Sequence, residues 1–174
     1  FFQVNREQTE VLYRRALEFA ALTGTETVVE LYCGIGTISL TLAEQAKQVI
    51  GVEVAPQAVD DAKENAHRNG LADRTRFECG DAAELAAKLE AEGIRPHVVA
   101  VDPPRKGLAP EVVDTIARMT PDRVVYVSCD PATLARDVKR FGERGYRPVR
   151  AEAVDLFPRT AHVETIVLLQ RENS

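Results

Sequence analysis

The chain has 174 residues, 45% of them hydrophobic and 28% charged, with ten Gly and nine Pro. That is the size and composition of one folded domain, and it excludes disordered, collagen-like and coiled-coil chains. The formal charge of −5 is uneven, because residues 118–150 hold eight Lys/Arg against four Asp/Glu. There Arg136, Lys139, Arg140, Arg144, Arg147 and Arg150 form either a contact for a polyanion or a solvated helix face. The apolar runs, residues 98–101 and 166–169 among them, stop far short of the ~20 residues that a membrane-spanning helix needs, so no membrane partner is expected. The opening Phe1-Phe2-Gln3-Val4-Asn5 has no Met, no basic region and no long apolar stretch. It reads as a cut from a longer chain and not as a signal peptide. Cys33, Cys79 and Cys129 form no Cys-x-x-Cys pair, which argues against a disulfide framework and against a metal site, and makes the reducing cytoplasm the expected compartment.

Short runs rich in Val, Ile and Leu alternate with helical patterns, the rhythm of a parallel sheet covered on both faces. In chain order the pattern predicts a helix over 6–22, a strand over 27–32, a helix over 37–46, a strand over 48–53, a helix over 56–69 and a strand over 75–78. A helix over 82–92, a strand over 97–102, a helix over 110–119, a strand over 123–128, a helix over 132–142 and strands over 147–155 and 162–170 follow. Pro56 and Pro110 suit first helical turns, and Gly70 and Gly93 suit helix ends. Residues 156–161 are too few for a crossover helix, so the last two strands form an antiparallel hairpin. The expected fold is therefore α/β and Rossmann-like, of the class I methyltransferase variant, with a seven-stranded, mostly parallel sheet that ends in a C-terminal antiparallel hairpin. All of residues 1–174 belong to that one domain.

Five motifs sit where such a sheet binds ligands, at the carboxyl ends of its strands. Glu30-Leu31-Tyr32-Cys33-Gly34-Ile35-Gly36-Thr37 runs from strand through glycine turn into helix, so a ligand can lie against the backbone at Gly34. A dinucleotide fingerprint would carry a third glycine where Ser39 stands. Glu53 closes the second strand 17 residues after Gly36, where a carboxylate accepts hydrogen bonds from ribose hydroxyls. Both motifs fit a nicotinamide cofactor or S-adenosyl-L-methionine. Asp81 is placed either to reach an adenine or to cap the following helix. Asp102-Pro103-Pro104-Arg105-Lys106-Gly107 holds an extended loop with Asp102 at the cleft, but Arg105 replaces the aromatic residue of amino-group methyltransferases. In Ser128-Cys129-Asp130-Pro131, the amide ends of the next helix are expected to lower the pKa of the Cys129 thiol and make it a nucleophile, whereas Cys33 and Cys79 read as small core residues. Glu164, flanked by apolar residues at the start of an inner strand, is costly there unless paired or functional. His162 reads as structural.

Together, Phe2-x-x-Asn5, Leu31-Tyr32-Cys33-Gly34-Ile35-Gly36-Thr37, Gly51-Val52-Glu53, Asp102-Pro103-Pro104-Arg105-Lys106-Gly107, Ser128-Cys129-Asp130-Pro131 and His162-Val163-Glu164-Thr165 resemble the RNA 5-methyluridine methyltransferases. The resemblance implies a catalytic domain that takes a methyl group from S-adenosyl-L-methionine to carbon 5 of a uridine in RNA. It makes Cys129 the nucleophile and Glu164 the general base, with Gln3, Tyr32, Glu53 and Asp102 as cofactor contacts and Gly34, Thr37 and Asp81 beside them. The wording Tyr-Cys-Gly-Ile-Gly-Thr is similar to the 23S ribosomal RNA branch more than to the transfer RNA branch. An N-terminal RNA-binding domain is expected in the full-length protein. Two residues depart from the family pattern: Asp130 stands where Asn is usual and would raise the thiol pKa, and Arg159 stands where His is usual.

Cytosine-5 methyltransferases keep a second thiol in the fourth-strand loop, and residues 102–107 have none, so uridine is the expected base, flipped or single-stranded to enter the cleft. A nicotinamide oxidoreductase would leave Cys129 and Glu164 without a role. A cofactor-binding RNA module without turnover is the reading from outside enzymology.

Overall fold

Val28-Val29, Val49-Ile50, Val98-Val99 and Val124-Val125 are stiff, branched pairs that pack on both faces of a pleated strand. Each lies in a strand of the computed structural model, which describes residues 6–156, 158, 160 and 163–172. The elements are α1 (Arg6–Ala20), β1 (Thr27–Leu31), α2 (Thr37–Ala43), β2 (Gln48–Glu53), α3 (Pro56–Arg68), a 3-10 turn (Ala72–Arg74), β3 (Thr75–Cys79), α4 (Ala82–Ala91) and β4 (Val98–Val101). Then come α5 (Pro110–Met119), β5 (Arg123–Ser128), α6 (Pro131–Gly142), β6 (Tyr146–Val154) and β7 (Glu164–Arg171). The helix predicted over 6–22 stops at Ala20 because Ala21 turns left-handed, with φ 47. The strand predicted over 162–170 begins at Glu164, and His162 lies outside the described residues.

The seven strands form one sheet in the order β3-β2-β1-β4-β5-β7-β6. Pairing is parallel from β3 through β5, and β7 runs antiparallel to both β5 and β6. The hairpin therefore folds back, so that the last strand in sequence stands between β5 and β6. Because β7 runs backwards, its first residue, Glu164, lies at the edge where the parallel strands have their last.

Strand side chains alternate between faces. Val28, Val49, Val98, Ala100, Val125, Val127, Ile166 and Leu168 pack with α1 and α2, while Val29, Leu31, Ile50, Val101, Val124, Tyr126, Val167 and Leu169 pack with α4, α5 and α6. Phe77, Cys33 and the α3 residues Val59, Ala62 and Ala66 form a third cluster beside α2. Gly51 sits under the Phe77 ring, and a Cβ there would lie 2.6 Å from Phe77 Cδ1. At the outer end of the sheet, β6 is blunted by Pro148 and by a register shift between Pro148 and Arg150 that leaves Val149 exposed, devices that discourage pairing with another chain. Among the described residues no helix is long and apolar enough to cross a membrane.

Candidate active site

The cofactor side is built from backbone. Tyr32, Gly34 and Gly36 take φ values of 67, 54 and 84, the left-handed region that glycine enters without strain, and they turn the chain sharply from β1 into α2. The turn is tied to β2 by Glu53, whose Oε2 accepts from Gly34 N at 3.0 Å and whose Oε1 accepts from Ala55 N at 3.0 Å. Beyond it opens a cavity of about 570 Å³, lined by Tyr32, Glu53, Val54, Asp81, Asp102 and Lys106 among others. It is polar at Glu53 and Asp102 and apolar at Val52, Val54, Ala82 and Val112. Val54, on the rim of this cavity, is 64% exposed. A smaller cavity of about 180 Å³ adjoins, lined by Tyr13, Glu30, Tyr32, Gly34, Thr37 and Asp102. Another cavity, of about 530 Å³, lies at the opposite edge of the sheet between Thr23, Lys47 and Arg74 and shares no residue with the site.

For Asp81 the capping reading holds. It caps α4, accepting from Ala83 N at 2.8 Å and Glu84 N at 3.3 Å, and it also lines the large cavity. Gln3 lies outside the described residues. Tyr32, Gly34, Thr37, Glu53, Asp81 and Asp102 are thus brought together around two adjoining cavities. The smaller one adds Tyr13 and Glu30, which the sequence reading left out.

The other side of the site is built from side chains. On β1, β4, β5 and β7, the residues two steps from Val28, Ala100, Val127 and Ile166 are Glu30, Asp102, Cys129 and Glu164, so alternation sends all four toward the α1 face at the carboxyl edge. The β5–β7 register ends at Ser128 opposite Thr165, and its next step sets Cys129 beside Glu164. Glu164 is 5% exposed. Burial pushes its pKa up, and the Arg105 charge pulls it back. Asp102 is pushed up to about 7, first by burial and then by the charge of Glu164. Glu30 is buried, hydrogen-bonded by the Ser39 hydroxyl, and pushed up to about 8, mainly by burial and in part by Asp102.

The Cys129 thiol departs from expectation. Its pKa is raised, by burial first and then by Glu164, while Arg105 opposes the rise. The amide end of α6 does not reach the thiol, because Asp130 occupies it, accepting from Ala132 N and Thr133 N at 3.0 Å each. The same contacts hold the Asp130 carboxyl below its usual pKa. This capping role, and not pressure on the thiol, is where the acid at position 130 acts. Cys33 is buried, as expected of a core residue, but Cys79 is exposed, its thiol directed at Val54 O at 3.6 Å on the rim of the large cavity.

Four of the six basic side chains named from the sequence are ion-paired within the chain. Arg136 and Arg140 pair with Asp137, Arg144 pairs with Asp114, and Arg150 pairs with Glu152 while stacking 4.9 Å over the Phe19 ring. Arg136, Lys139, Arg147 and Arg150 remain exposed.

The fold is that of Rossmann-like methyltransferases. The N-methyltransferase NodS of Bradyrhizobium japonicum superposes with a TM-score of 0.75 at 13% identity, covering 97% of this chain and 98% of its own. The chain belongs to the tRNA (uracil-5-)-methyltransferase family, whose family model matches residues 1–172. It is 54% identical over 173 residues to an uncharacterized RNA methyltransferase of Halalkalibacterium halodurans, and 53% identical over 171 residues to one of Enterococcus faecalis. These alignments cover 99% and 98% of this chain but only 38% and 37% of the relatives. The crystal structure of Pyrococcus abyssi tRNA (uracil-54, C5)-methyltransferase, in complex with S-adenosyl-L-homocysteine, superposes with a TM-score of 0.84 at 36% identity, over 97% of this chain and 40% of that one.

Proposed function

We propose that this domain transfers a methyl group from S-adenosyl-L-methionine to carbon 5 of a uridine in RNA, in the cytoplasm, as part of a longer protein whose N-terminal region supplies most of the RNA affinity. The observation that carries the reading is the placement of Cys129 and Glu164 side by side at the strand edge, next to the cavity that Glu53 and Asp102 line.

The cavity fits the cofactor: Glu53 is placed for ribose hydroxyls, the face at Val52, Val54 and Ala82 for an aromatic base, Asp81 for its rim, and Tyr32, Gly34, Thr37 and Asp102 for the amino-acid end. When bound, the cofactor supplies an electrophilic sulfonium methyl group. The Cys129 thiolate adds to carbon 6 of the uracil, forming an S–C bond and sending the electron pair to carbon 5, which then takes the methyl group. Glu164 removes the carbon 5 proton. The electron pair restores the ring double bond, and the Cys129 thiolate leaves. Burial of Glu164 raises its basicity, which suits the role of a general base.

Ribosomal RNA is the substrate class favoured by the Tyr32–Thr37 wording. Transfer RNA is the second reading, supported by the likeness to the Pyrococcus abyssi enzyme. The deciding experiment incubates the full-length Glu164→Gln variant with S-adenosyl-L-methionine and either 23S rRNA or tRNA. A denaturing gel is expected to show a covalent RNA adduct that a second change, Cys129→Ala, abolishes. No adduct with either RNA, with the cofactor still bound, would favour a binding module without turnover.

A further inference from the structure

The loop from Pro103 to Ala109 has no regular structure, yet α6 grips its backbone. Leu108 N donates to Asp137 Oδ2 at 2.7 Å, and Thr133 Oγ1 donates to Arg105 O at 3.0 Å. Arg136 Nη2 donates to Lys106 O at 2.7 Å, and Arg140 Nη1 donates to Leu108 O at 3.1 Å. Positions 133, 136, 137 and 140 share one helical face. Its centre is Asp137, whose side chain is 0% exposed. Besides Leu108 N, its carboxylate accepts from Tyr126 Oη at 2.8 Å, Arg136 Nε at 3.0 Å and Arg140 Nη1 at 3.1 Å. Gly107, at φ +72, is pressed against the group so closely that a Cβ would fall 2.5 Å from Asp137 Oδ2. Tyr126 lies on β5, three residues before Cys129.

A buried ion cluster gives no stability advantage over apolar packing of the same volume. What this one fixes is position, because it ties the loop that carries Asp102 and Arg105 to the strand that carries Cys129. We propose that Asp137 is a positioning residue for the methyl-transfer site, holding the loop so that the Arg105 guanidinium stays beside Cys129 and Glu164. Its function is to keep a positive charge next to a thiol that otherwise meets burial, Glu164 from β7 and Asp102 from the end of β4. The inference rests on Cys129 being the nucleophile.

The test reads the thiol directly, without RNA or turnover, so it is separate from the adduct experiment. In full-length protein carrying Cys79→Ser, the rate of Cys129 alkylation by iodoacetamide is followed against pH, with the site resolved by mass spectrometry. Arg105→Gln is expected to move the midpoint up by about half a pH unit or more. Asp137→Asn is expected to move it the same way, and the double variant no further than Arg105→Gln alone. The direction is diagnostic. Loss of a nearby negative charge by itself makes a thiol more acidic, so an upward shift in Asp137→Asn requires displacement of Arg105. An unchanged or lowered midpoint in Asp137→Asn, or shifts that add in the double variant, would overturn the proposal. If Asp137→Asn does not fold, Tyr126→Phe takes its place, with a smaller upward shift expected and an unchanged midpoint overturning it. A missing adduct in the Glu164→Gln experiment would instead remove the premise about Cys129.

Discussion

The two halves of the site are made by different means. On the β1–β3 side the chain frames the cofactor cavity with the turn at Tyr32, with Glu53 and Asp81 and with apolar side chains at Val52, Val54 and Ala82, each at the end of a strand or the start of the next helix, and the loop after β4 closes it. On the β4–β7 side it collects Asp102, Arg105, Cys129, Asp137 and Glu164 from four separate segments and sets their charges against one another. On the proposed reading, the first half binds with geometry that local sequence specifies, and the second does chemistry with an electrostatic balance that exists only after folding.

If the halves are independent, damage to one should leave the other's signature intact. The largest effect is expected from Glu53→Ala. Losing a charge-assisted hydrogen bond, worth about 1.5–3 kcal/mol, should weaken S-adenosyl-L-homocysteine binding by ~10- to 100-fold in calorimetric titration, while the alkylation midpoint of Cys129 stays where it was. A comparable move in that midpoint would break the division. Gly51→Ala tests the scaffold under the cofactor half. Its Cβ would meet the Phe77 ring at 2.6 Å, and overpacking of this kind costs about 1–3 kcal/mol in urea unfolding, with a loss near zero showing that the ring yields.

An effect confined to high pH is expected where the halves touch, at Glu30. Its folded pKa, about 8, lies above its ordinary 4.5, so the folded chain keeps a proton that the unfolded chain gives up. The protonated group's contribution to stability is whole below pH 4.5 and is lost as pH rises toward 8. Glu30→Gln removes that dependence. Its unfolding free energy should exceed the parent's by a few kcal/mol, at most about 4, at pH 8, with no gain near pH 4. An equal change at both pH values would show that the side chain acts by shape alone.

The contrast also explains what was legible in the sequence. Strand runs, the glycine turn, Glu53 and the closing hairpin could be read because each rests on a local pattern. Cys129 and Glu164 could be picked out because a thiol or an acid at a strand end is conspicuous. Asp137 could not: in sequence it is one acid among basic residues on an amphipathic helix, and its meaning comes from Leu108, 29 positions away. The thiol's acidity was misjudged for the same reason, since the side chain that caps α6 is the residue next to it. Glu30 passed unnoticed because the glycines after it drew the reading, although its alternation with Val28 was available. That β7 would insert between β5 and β6 is a matter of pairing partners, which periodicity does not encode.

That insertion has a consequence for how the molecule is made. Among the described residues β6 pairs only with β7, so on a ribosome the strand emerging at Tyr146–Val154 has no place in the sheet until Glu164–Arg171 has followed it out. Domains fold as units as synthesis proceeds, and here the last strand to emerge also carries the Glu164 carboxylate. On the proposed reading, the strand that completes the sheet is thus also the one that brings in the base.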